Sequence, residues 1–208
     1  MQMAPPKRIG LDLDNTVIDY APAYRAVAKE MGLPPQLVDR DSIREALRKS
    51  DEDDEEWQRF QALLYTDGLS YAQPASGLLE FLRTCNSLAV PVVIISHKTK
   101  VTPERFGARD LRAPACAWLQ DKGITPAHVA PDGVLFCTNR AEKVRMIAEL
   151  QCDVFVDDLI EVLTDADYPV SASAWWYCTS DWDSAGSPTE HLFGDFFALT
   201  RWLSMPGT

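Results

Sequence analysis

The sequence predicts an α/β protein with a doubly wound parallel sheet and a small α-helical domain. Two observations indicate this fold. Short apolar runs rich in β-branched residues alternate with stretches whose apolar residues recur at helical spacing, which is typical of parallel sheets covered by helices. Between residues 20 and 75 this alternation stops and the patterns are helical. We therefore expect a core domain of residues 1–19 and 76–208 and a helical domain of residues 20–75.

The individual elements follow from the same patterns. Apolar runs predict buried parallel strands at residues 9–13, 90–95, 133–137 and 153–156, with a further candidate at 174–178. Helical spacing predicts core helices at residues 77–88, 110–122 and 141–150, and inserted helices at 24–31, 41–49 and 55–65. Pro114 should make the helix at 110–122 begin late or bend. A closing amphipathic helix is predicted from Phe193, Phe196, Phe197 and Trp202.

Composition and charge narrow the possible functions. The chain has 208 residues, of which 46% are hydrophobic and 25% charged, which is enough to bury one sizeable core. A net charge of −11 argues against a nucleic-acid partner, because such proteins usually carry a basic face. No apolar run is long enough to cross a membrane, so we expect a soluble, cytoplasmic protein. The five cysteines lack metal-site spacing and are predicted to be reduced.

Acidic residues follow two of the predicted strands. Asp12 and Asp14 are two positions apart, so in an extended chain both carboxylates project toward the same side. Asp157 and Asp158 follow the strand at residues 153–156. If the four carboxylates converge at the carboxyl edge of the sheet, they repel one another unless a cation lies between them. Oxygen ligands favour Mg2+ there, and solvated turn aspartates are the alternative.

Further polar residues occupy comparable positions. Ser96 ends the second predicted strand, where its hydroxyl and the following backbone N–H groups could bind a phosphoryl oxygen. His97 and Lys98 come next and could contact or attract an anionic substrate. Lys143 lies in the first turn of the helix after the third strand, an unfavourable place for a cation, which indicates a nearby negative charge. A surface lysine is the alternative interpretation.

The order of these motifs resembles the haloacid dehalogenase superfamily. All four motifs of that superfamily are matched in order, by Asp12-x-Asp14-x-Thr16, by the strand ending in Ser96, by Lys143, and by the strand followed by Asp157-Asp158. The resemblance covers roughly residues 7–20 and 74–165. It implies that the helical domain is a cap inserted between the first two motifs.

The resemblance also implies a mechanism. Asp12 would be the nucleophile that forms an aspartyl phosphate, and Asp14 would be the general acid and base. Mg2+ would be held by Asp12, by the backbone carbonyl of Asp14 and by the second acidic pair. Within that pair, Asp158 is expected to bind the metal directly and Asp157 mainly through water.

The remaining motif residues would hold the phosphoryl group. Those expected to do so are Thr16, Ser96 and Lys143, with His97 as a further substrate contact. Members of the superfamily often carry another acid four residues beyond the metal ligand, but this chain has Val162 there. Glu161 is therefore the candidate for the outer metal shell.

The expected activity is hydrolysis of a small phosphorylated metabolite. Asp14 disfavours dehalogenation, since members of the superfamily that displace halide lack this acid. One alternative is a phosphotransferase or phosphomutase that uses the same aspartyl phosphate. Another is a catalytically silent binding or regulatory protein of the same fold.

Substrate selectivity is expected to reside in the inserted helices. Their basic residues could clamp a second anionic group of the substrate, or they could be solvated, as is usual on amphipathic helices. These residues are Arg25, Arg44, Arg48 and Lys49. Trp57 is a candidate wall for the substrate, whereas the other tryptophans are expected in the core.

Overall fold

The computed structural model describes residues 6–50, 54–179, 189 and 191–205. The strands are β1 (Ile9–Leu11), β2 (Ile18–Asp19), β3 (Gln73–Pro74), β4 (Val92–Ser96), β5 (Val134–Phe136), β6 (Val154–Asp157), β7 (Ser173–Tyr177) and β8 (His191–Phe193). The α-helices are α1 (Ala21–Glu30), α2 (Arg40–Ser50), α3 (Glu55–Leu64), α4 (Leu78–Ser87), α5 (Arg112–Asp121), α6 (Arg140–Glu149), α7 (Ile160–Leu163) and α8 (Phe196–Ser204). None of the helices in these described ranges is long and apolar enough to cross a bilayer.

Six strands form one parallel sheet in the order β5-β4-β1-β6-β7-β8. The central strand β1 pairs with β4 on one side and β6 on the other, so that Gly10 lies opposite both Val93 and Phe155. After β1 the chain builds one half of the sheet and then returns to build the other. The predicted doubly wound parallel sheet is confirmed, and ligands of such sheets bind where the winding reverses, beyond the carboxyl ends of the strands.

Apolar packing explains why these segments form strands and helices. Phe155 on β6 is fully buried in a cluster with Val144 and Ile147 of α6 and Val162 of α7. Elsewhere, Phe81 of α4 and Phe196 of α8 pack with their ring centroids 5.3 Å apart. Each fully buried side chain of this size contributes about 1.5–3 kcal/mol.

Two helices begin at residues other than those predicted, namely α5 and the closing helix α8. α5 begins at Arg112 and tolerates Pro114 because proline fits the first helical turn. The predicted closing helix is wrong at Phe193, which lies in edge strand β8, while α8 begins at Phe196. The ring of Phe193 lies near those of Trp175 and Phe196. These aromatic contacts do not by themselves distinguish a strand from a helix at this residue.

The described residues form two compact units. The sheet unit comprises Met1–Ile18, Pro74–Lys98 and Lys122–Thr208, and the helical unit comprises Asp19–Gln73 and Thr99–Asp121. The three predicted helices of the inserted region are present as α1, α2 and α3. Trp57 of α3 is buried, and its ring stacks on Phe60 at 5.6 Å between centroids.

The helical unit also contains a segment that we expected in the core, residues 99–121. Its side chains explain this placement. Arg109 forms two ion-pair hydrogen bonds to Asp67, at 2.7 and 2.6 Å, and Trp118 donates to the carbonyl of Ala72. An amphipathic pattern predicts that α5 is a helix with a buried face, but it does not say which partner covers that face.

Candidate active site

The sheet topology brings three of the predicted motifs to one edge. Asp12 follows β1 directly, while Ser96 and Asp157 are the last residues of β4 and β6, the two neighbours of β1. The backbone N–H of Asp12 donates to the carbonyl of Val156 at 2.8 Å, which holds Asp12 beside Asp157. The motifs are therefore neighbours because their strands are neighbours.

The loop after β1 is a tight turn. Asn15 has a φ of 61°, in the left-handed region that asparagine tolerates better than most residues. The N–H groups of Val17 and Ile18 both donate to the carbonyl of Leu13, which closes the turn. Within it, Thr16 is fully buried, and its Oγ1 has no hydrogen-bond partner in the part of the chain that the structure describes. A buried hydroxyl without a partner is unfavourable and is suited to an external ligand.

Three carboxylates form a compact cluster at this edge. One oxygen from each of Asp12, Asp157 and Asp158 lies within 4.8 Å of the others. Asp157 is fully buried, and its Oδ1 accepts a hydrogen bond from the N–H of Leu159 at 2.9 Å. Trp176 donates to the backbone carbonyl of Asp158 at 3.0 Å and so fixes the chain at that residue. Both members of the second acidic pair thus belong to the cluster.

Lys143 reaches this cluster from α6. The helix is capped by Asn139, whose side chain accepts from the N–H of Glu142 at 2.9 Å, so that Lys143 falls at the end of the first turn. Its side chain is 0% exposed, and its ammonium hydrogen-bonds to Asp12 and lies 2.7 Å from Asp157. The negative charge that its position predicted is thus present.

The Lys143 ammonium also contacts an aromatic ring. The Lys143 Nζ lies 5.4 Å from the ring centroid of Phe155, within the range of a cation–π contact. The Phe155 ring packs against Gly10 so closely that a Cβ there would lie 2.5 Å from the ring. Because Gly10 lacks a side chain, the Phe155 ring can pack against it and contact the Lys143 ammonium.

Burial governs the protonation of these groups. Desolvation raises the pKa of Asp12 to about 7, an effect that Lys143 opposes and Asp157 reinforces. Desolvation likewise raises the pKa of Asp157, and Lys143 opposes it. Although burial alone would lower the pKa of Lys143, the two carboxylates raise it further, so its ammonium stays charged. One lysine does not fully compensate the buried carboxylates.

A second buried lysine lies on the other side of the site. The ammonium of Lys98 donates to both carboxylate oxygens of Asp14, at 2.9 and 3.0 Å, and its side chain is 2% exposed. The backbone N–H of Lys98 also donates to the Ser96 hydroxyl at 3.2 Å. His97 is half-buried, and burial together with the charge of Lys143 lowers its pKa.

The structure thus brings Asp12, Asp157, Asp158 and Lys143 together in one cluster. The sequence does not distinguish Lys98 from His97 as a substrate contact, whereas in the structure Lys98 is the one that contacts Asp14. Glu161 is exposed, yet its charge contributes to the raised pKa of Asp157.

Two basic residues of the helical unit have partners within that unit. Arg48 is paired with Asp54 at 2.7 Å, and Arg44 lies over the ring of Trp57. Arg25 is exposed, and the side chain of Lys49 lies outside the described residues.

Sequence comparison adds little, because no model of a known protein family and no curated protein matches the chain. Solved structures do match. A HAD family hydrolase from Deinococcus radiodurans with bound phosphate and sodium gives a TM-score of 0.56 at 15% identity, covering 94% of both chains. A predicted phosphoglycolate phosphatase from Haemophilus somnus gives 0.54 at 15% identity, covering 94% of this chain and 97% of its own.

A third match differs in its stated activity. The Mycobacterium tuberculosis Protein Tyrosine Kinase A gives a TM-score of 0.60 at 18% identity, covering 97% of this chain and 99% of its own. Similarity at this level of identity establishes the fold. The chain has the haloacid dehalogenase fold that its motifs predicted.

Proposed function

We propose that the chain is a Mg2+-dependent phosphatase that hydrolyses a small phosphate monoester through an aspartyl phosphate on Asp12. The observation that carries this proposal is the cluster of Asp12, Asp157 and Asp158, of which the first two are buried and are joined by Lys143. Hydrolase and phosphatase structures of the same fold support it.

The side chains present fit a divalent cation. The carboxylates of Asp12, Asp14, Asp157 and Asp158 face the ammonium groups of Lys98 and Lys143, which leaves a formal excess of two negative charges. Oxygen donors on a small, buried site suit Mg2+. The three clustered carboxylates and the backbone carbonyl of Asp14 would hold it, and it would neutralise charge on the phosphoryl oxygens.

The first step breaks the ester bond. A carboxylate oxygen of Asp12 attacks phosphorus, and the P–O bond to the alcohol breaks on the opposite side. Asp14 enters this step as the neutral carboxylic acid, gives its proton to the leaving alcohol oxygen and becomes a carboxylate. The Lys143 ammonium, the Ser96 hydroxyl and the otherwise unpaired Thr16 hydroxyl bind the phosphoryl oxygens, so that catalysis depends on positioning and on charge.

The second step regenerates the enzyme. Asp14, now a carboxylate, takes a proton from water, and the water oxygen attacks the phosphorus of the aspartyl phosphate. The P–O bond to Asp12 breaks and inorganic phosphate leaves. Asp14 lies two residues after the nucleophile, in the turn that Asn15 closes, and Lys98 fixes the direction of its carboxylate.

The test is hydrolysis of para-nitrophenyl phosphate by the full chain with Mg2+ and with EDTA. We expect Asp12→Asn to lose at least about a thousandfold in kcat, as expected for removal of a nucleophile. Asp132→Asn changes an exposed aspartate of the same unit in the same way and should retain full activity. Activity that survives either EDTA or Asp12→Asn contradicts the proposal.

Covalent chemistry has its own readout. In Asp14→Asn the second step should slow, so acid-quenched protein should carry a phosphoryl group on the peptide that contains Asp12, as seen by mass spectrometry. Transfer of this group to an added alcohol in preference to water would identify a phosphotransferase.

A further inference from the structure

The first turn of α6 carries a second cation besides Lys143. Arg140 is the first residue of α6 and lies three positions before Lys143, so the two side chains are neighbours on one face of the helix. The helix dipole disfavours a cation at this end, which indicates a negative charge near Arg140 as well. One such charge belongs to the protein, since the Arg140 Nε lies 3.2 Å from a carboxylate oxygen of Asp165.

The ion pair with Asp165 uses only part of the Arg140 guanidinium. The Arg140 side chain is 53% exposed, and among the described residues no hydrogen bond of this guanidinium accompanies the pair. An ion pair this exposed adds little to stability. A guanidinium carries several N–H donors in a fixed plane, so donors of Arg140 remain for an external acceptor.

The beginning of α6 is held at the carboxyl edge of the sheet. The N–H of Cys137, shortly before the helix, donates to the carbonyl of Ser96 at 2.7 Å. From this edge α6 runs back along the sheet, so Arg140 lies about 4.5 Å farther out along the helix axis than Lys143. The exposed fractions of the two side chains agree with this order, at 53% for Arg140 and 0% for Lys143. Arg140 is therefore on the solvent side of the phosphoryl-binding lysine.

His97 is a neighbour of both cations. Burial is the main cause of its lowered pKa, and the charges of Lys143 and Arg140 act in the same direction. The Nδ1 of His97 is buried and has no hydrogen-bond partner in the described part of the chain. A buried polar atom in this state is suited to an external ligand. His97, Arg140 and Lys143 all belong to the sheet unit.

We infer that Arg140 binds a second anionic group of the substrate, carried by the alcohol part of the ester, and that His97 is a hydrogen-bonding neighbour of that group. The inference rests on the proposed phosphatase function and adds the class of substrate. When Lys143 holds the phosphoryl group, an anion two carbons beyond the ester oxygen lies about as far from phosphorus as Arg140 lies beyond Lys143. A guanidinium binds such oxyanions through paired N–H donors.

The test compares phosphoglycerate, with its phosphate on the terminal carbon, with glycerol phosphate. Both are esters of a primary alcohol, and they differ in a carboxylate that replaces a hydroxymethyl group. We expect the full chain with Mg2+ to prefer phosphoglycerate by about tenfold in kcat/KM, chiefly through KM. In Arg140→Met the preference should disappear, because KM for phosphoglycerate rises about tenfold more than KM for glycerol phosphate. Arg140→Lys keeps the charge and should retain part of the preference.

Glycerol bisphosphate distinguishes a second phosphate from a carboxylate. A preference for the bisphosphate over phosphoglycerate, lost in Arg140→Met, identifies the second group as a phosphate. The reverse order identifies it as a carboxylate. Both results support the inference, because both require a cation beyond Lys143.

Arg145→Met is the matched control. Arg145 lies on the same helix, is 65% exposed and pairs with Glu149 at 3.3 Å, so it shares an exposed ion pair with Arg140 but lies outside the first turn. This variant should keep the preference of the original chain. The inference is overturned if the original chain prefers neither anionic ester to glycerol phosphate, or if the two methionine substitutions have equal effects on the preference. An unchanged preference in Arg140→Met overturns it too and assigns Arg140 to its ion pair with Asp165.

Binding separates this inference from the phosphatase proposal. If no ester is hydrolysed, the phosphatase proposal fails, and calorimetric titration of the original chain and of Arg140→Met with the same three esters tests Arg140 directly. Tighter binding of an anionic ester than of glycerol phosphate, abolished in Arg140→Met, would support the inference, and equal binding would contradict it. If the esters are hydrolysed without preference, the assignment of Arg140 fails and the phosphatase proposal stands.

Discussion

Lys143 and Lys98 both bury an ammonium group against aspartates in the sheet unit, but their surroundings differ. Lys143 lies between two carboxylates, and all three side chains are at most 5% exposed. Lys98 faces Asp14, whose side chain is 20% exposed. The first lysine approaches from a helix, and the second from the loop after β4.

The difference in surroundings indicates that the two lysines have different roles. Charges in a buried environment interact strongly, so Lys143 chiefly compensates the charge of Asp12 and of the carboxylate cluster. Lys98 bonds both oxygens of a partly solvated carboxylate, so its larger effect is on the direction of Asp14. Loss of the two lysines should therefore have different consequences.

Removing Lys143 should have the largest effect. Lys143→Met leaves Asp12 and Asp157 buried without their ammonium, which should cost about 3–5 kcal/mol of folding free energy when metal is absent. In the proposed mechanism it also removes a donor to the phosphoryl group, so kcat with Mg2+ should fall by about a hundred- to a thousandfold. Denaturant unfolding in EDTA and steady-state kinetics measure the two effects.

Arg145→Met is the control for this substitution. Arg145 lies on the same helix but is exposed and pairs with Glu149 at 3.3 Å. Its removal should change stability by less than about 0.5 kcal/mol. Equal losses in the two variants would show that α6, and not the Lys143 ammonium, is responsible.

Removing Lys98 should affect catalysis more than stability. Lys98→Met releases the Asp14 carboxylate from its ion pair, so kcat should fall by about ten- to a hundredfold through lost positioning. KM should change less, and Lys98→Arg should restore part of kcat. Lys100→Met removes an exposed lysine two residues later and should leave both constants unchanged. A rise in KM by as large a factor as the fall in kcat would instead assign Lys98 to substrate binding.

The two lysines also differ in how far the sequence could predict them. Lys143 occupies a position where the helix dipole disfavours a cation, and this conflict indicates a nearby negative charge. Lys98 and His97 both follow Ser96 in a loop. A loop lacks the periodicity of a helix or strand, so the sequence does not predict which of the two side chains points inward. The contact with Asp14 depends on the loop conformation, which residue types alone do not determine.

The same limit applies to the fold. The parallel sheet follows from apolar runs because each such strand must be buried on both faces. Residues 99–121 join the helical unit through contacts such as Arg109 with Asp67, between residues far apart in sequence. Pairings of this kind leave no periodic signal in the chain.

The pH dependence of stability should measure the free-energy cost of ionising the buried Asp12 beside Lys143. Because the pKa of Asp12 rises from 3.8 to about 7 on folding, the folded protein binds more protons in this range. Without metal, its contribution is full below pH 3.8 and is lost as the pH rises toward 7. Mg2+ should oppose this loss, since it compensates the ionised carboxylates.

Histidines require a control in this measurement. The pKa of His97 is lowered by burial, so this group contributes a stability change of opposite sign over the same range. The difference between the original chain and Asp12→Asn removes the part of the histidine contribution that does not depend on the charge of Asp12. That difference should become less favourable to the original chain as the pH rises in EDTA. A flat difference would show that Asp12 ionises normally.

Gly10 should have the smallest effect and tests how Lys143 is supported. In Gly10→Ala the new Cβ would lie 2.5 Å from the Phe155 ring, so the ring must move. We expect a loss of about 1–3 kcal/mol and a fall in melting temperature of several degrees. Because the same ring lies 5.4 Å from the Lys143 ammonium, kcat should fall severalfold as well.

Two variants separate ring displacement from the general cost of an added methyl group. Gly133→Ala places its Cβ 3.4 Å from the nearest side-chain atom and should be much milder. Phe155→Leu combined with Gly10→Ala should lose less stability than the two single losses together, because the smaller side chain leaves room for the Cβ. If the losses add and kcat is unchanged, Phe155 packs the core without supporting Lys143, and the two lysines differ only in their carboxylate partners.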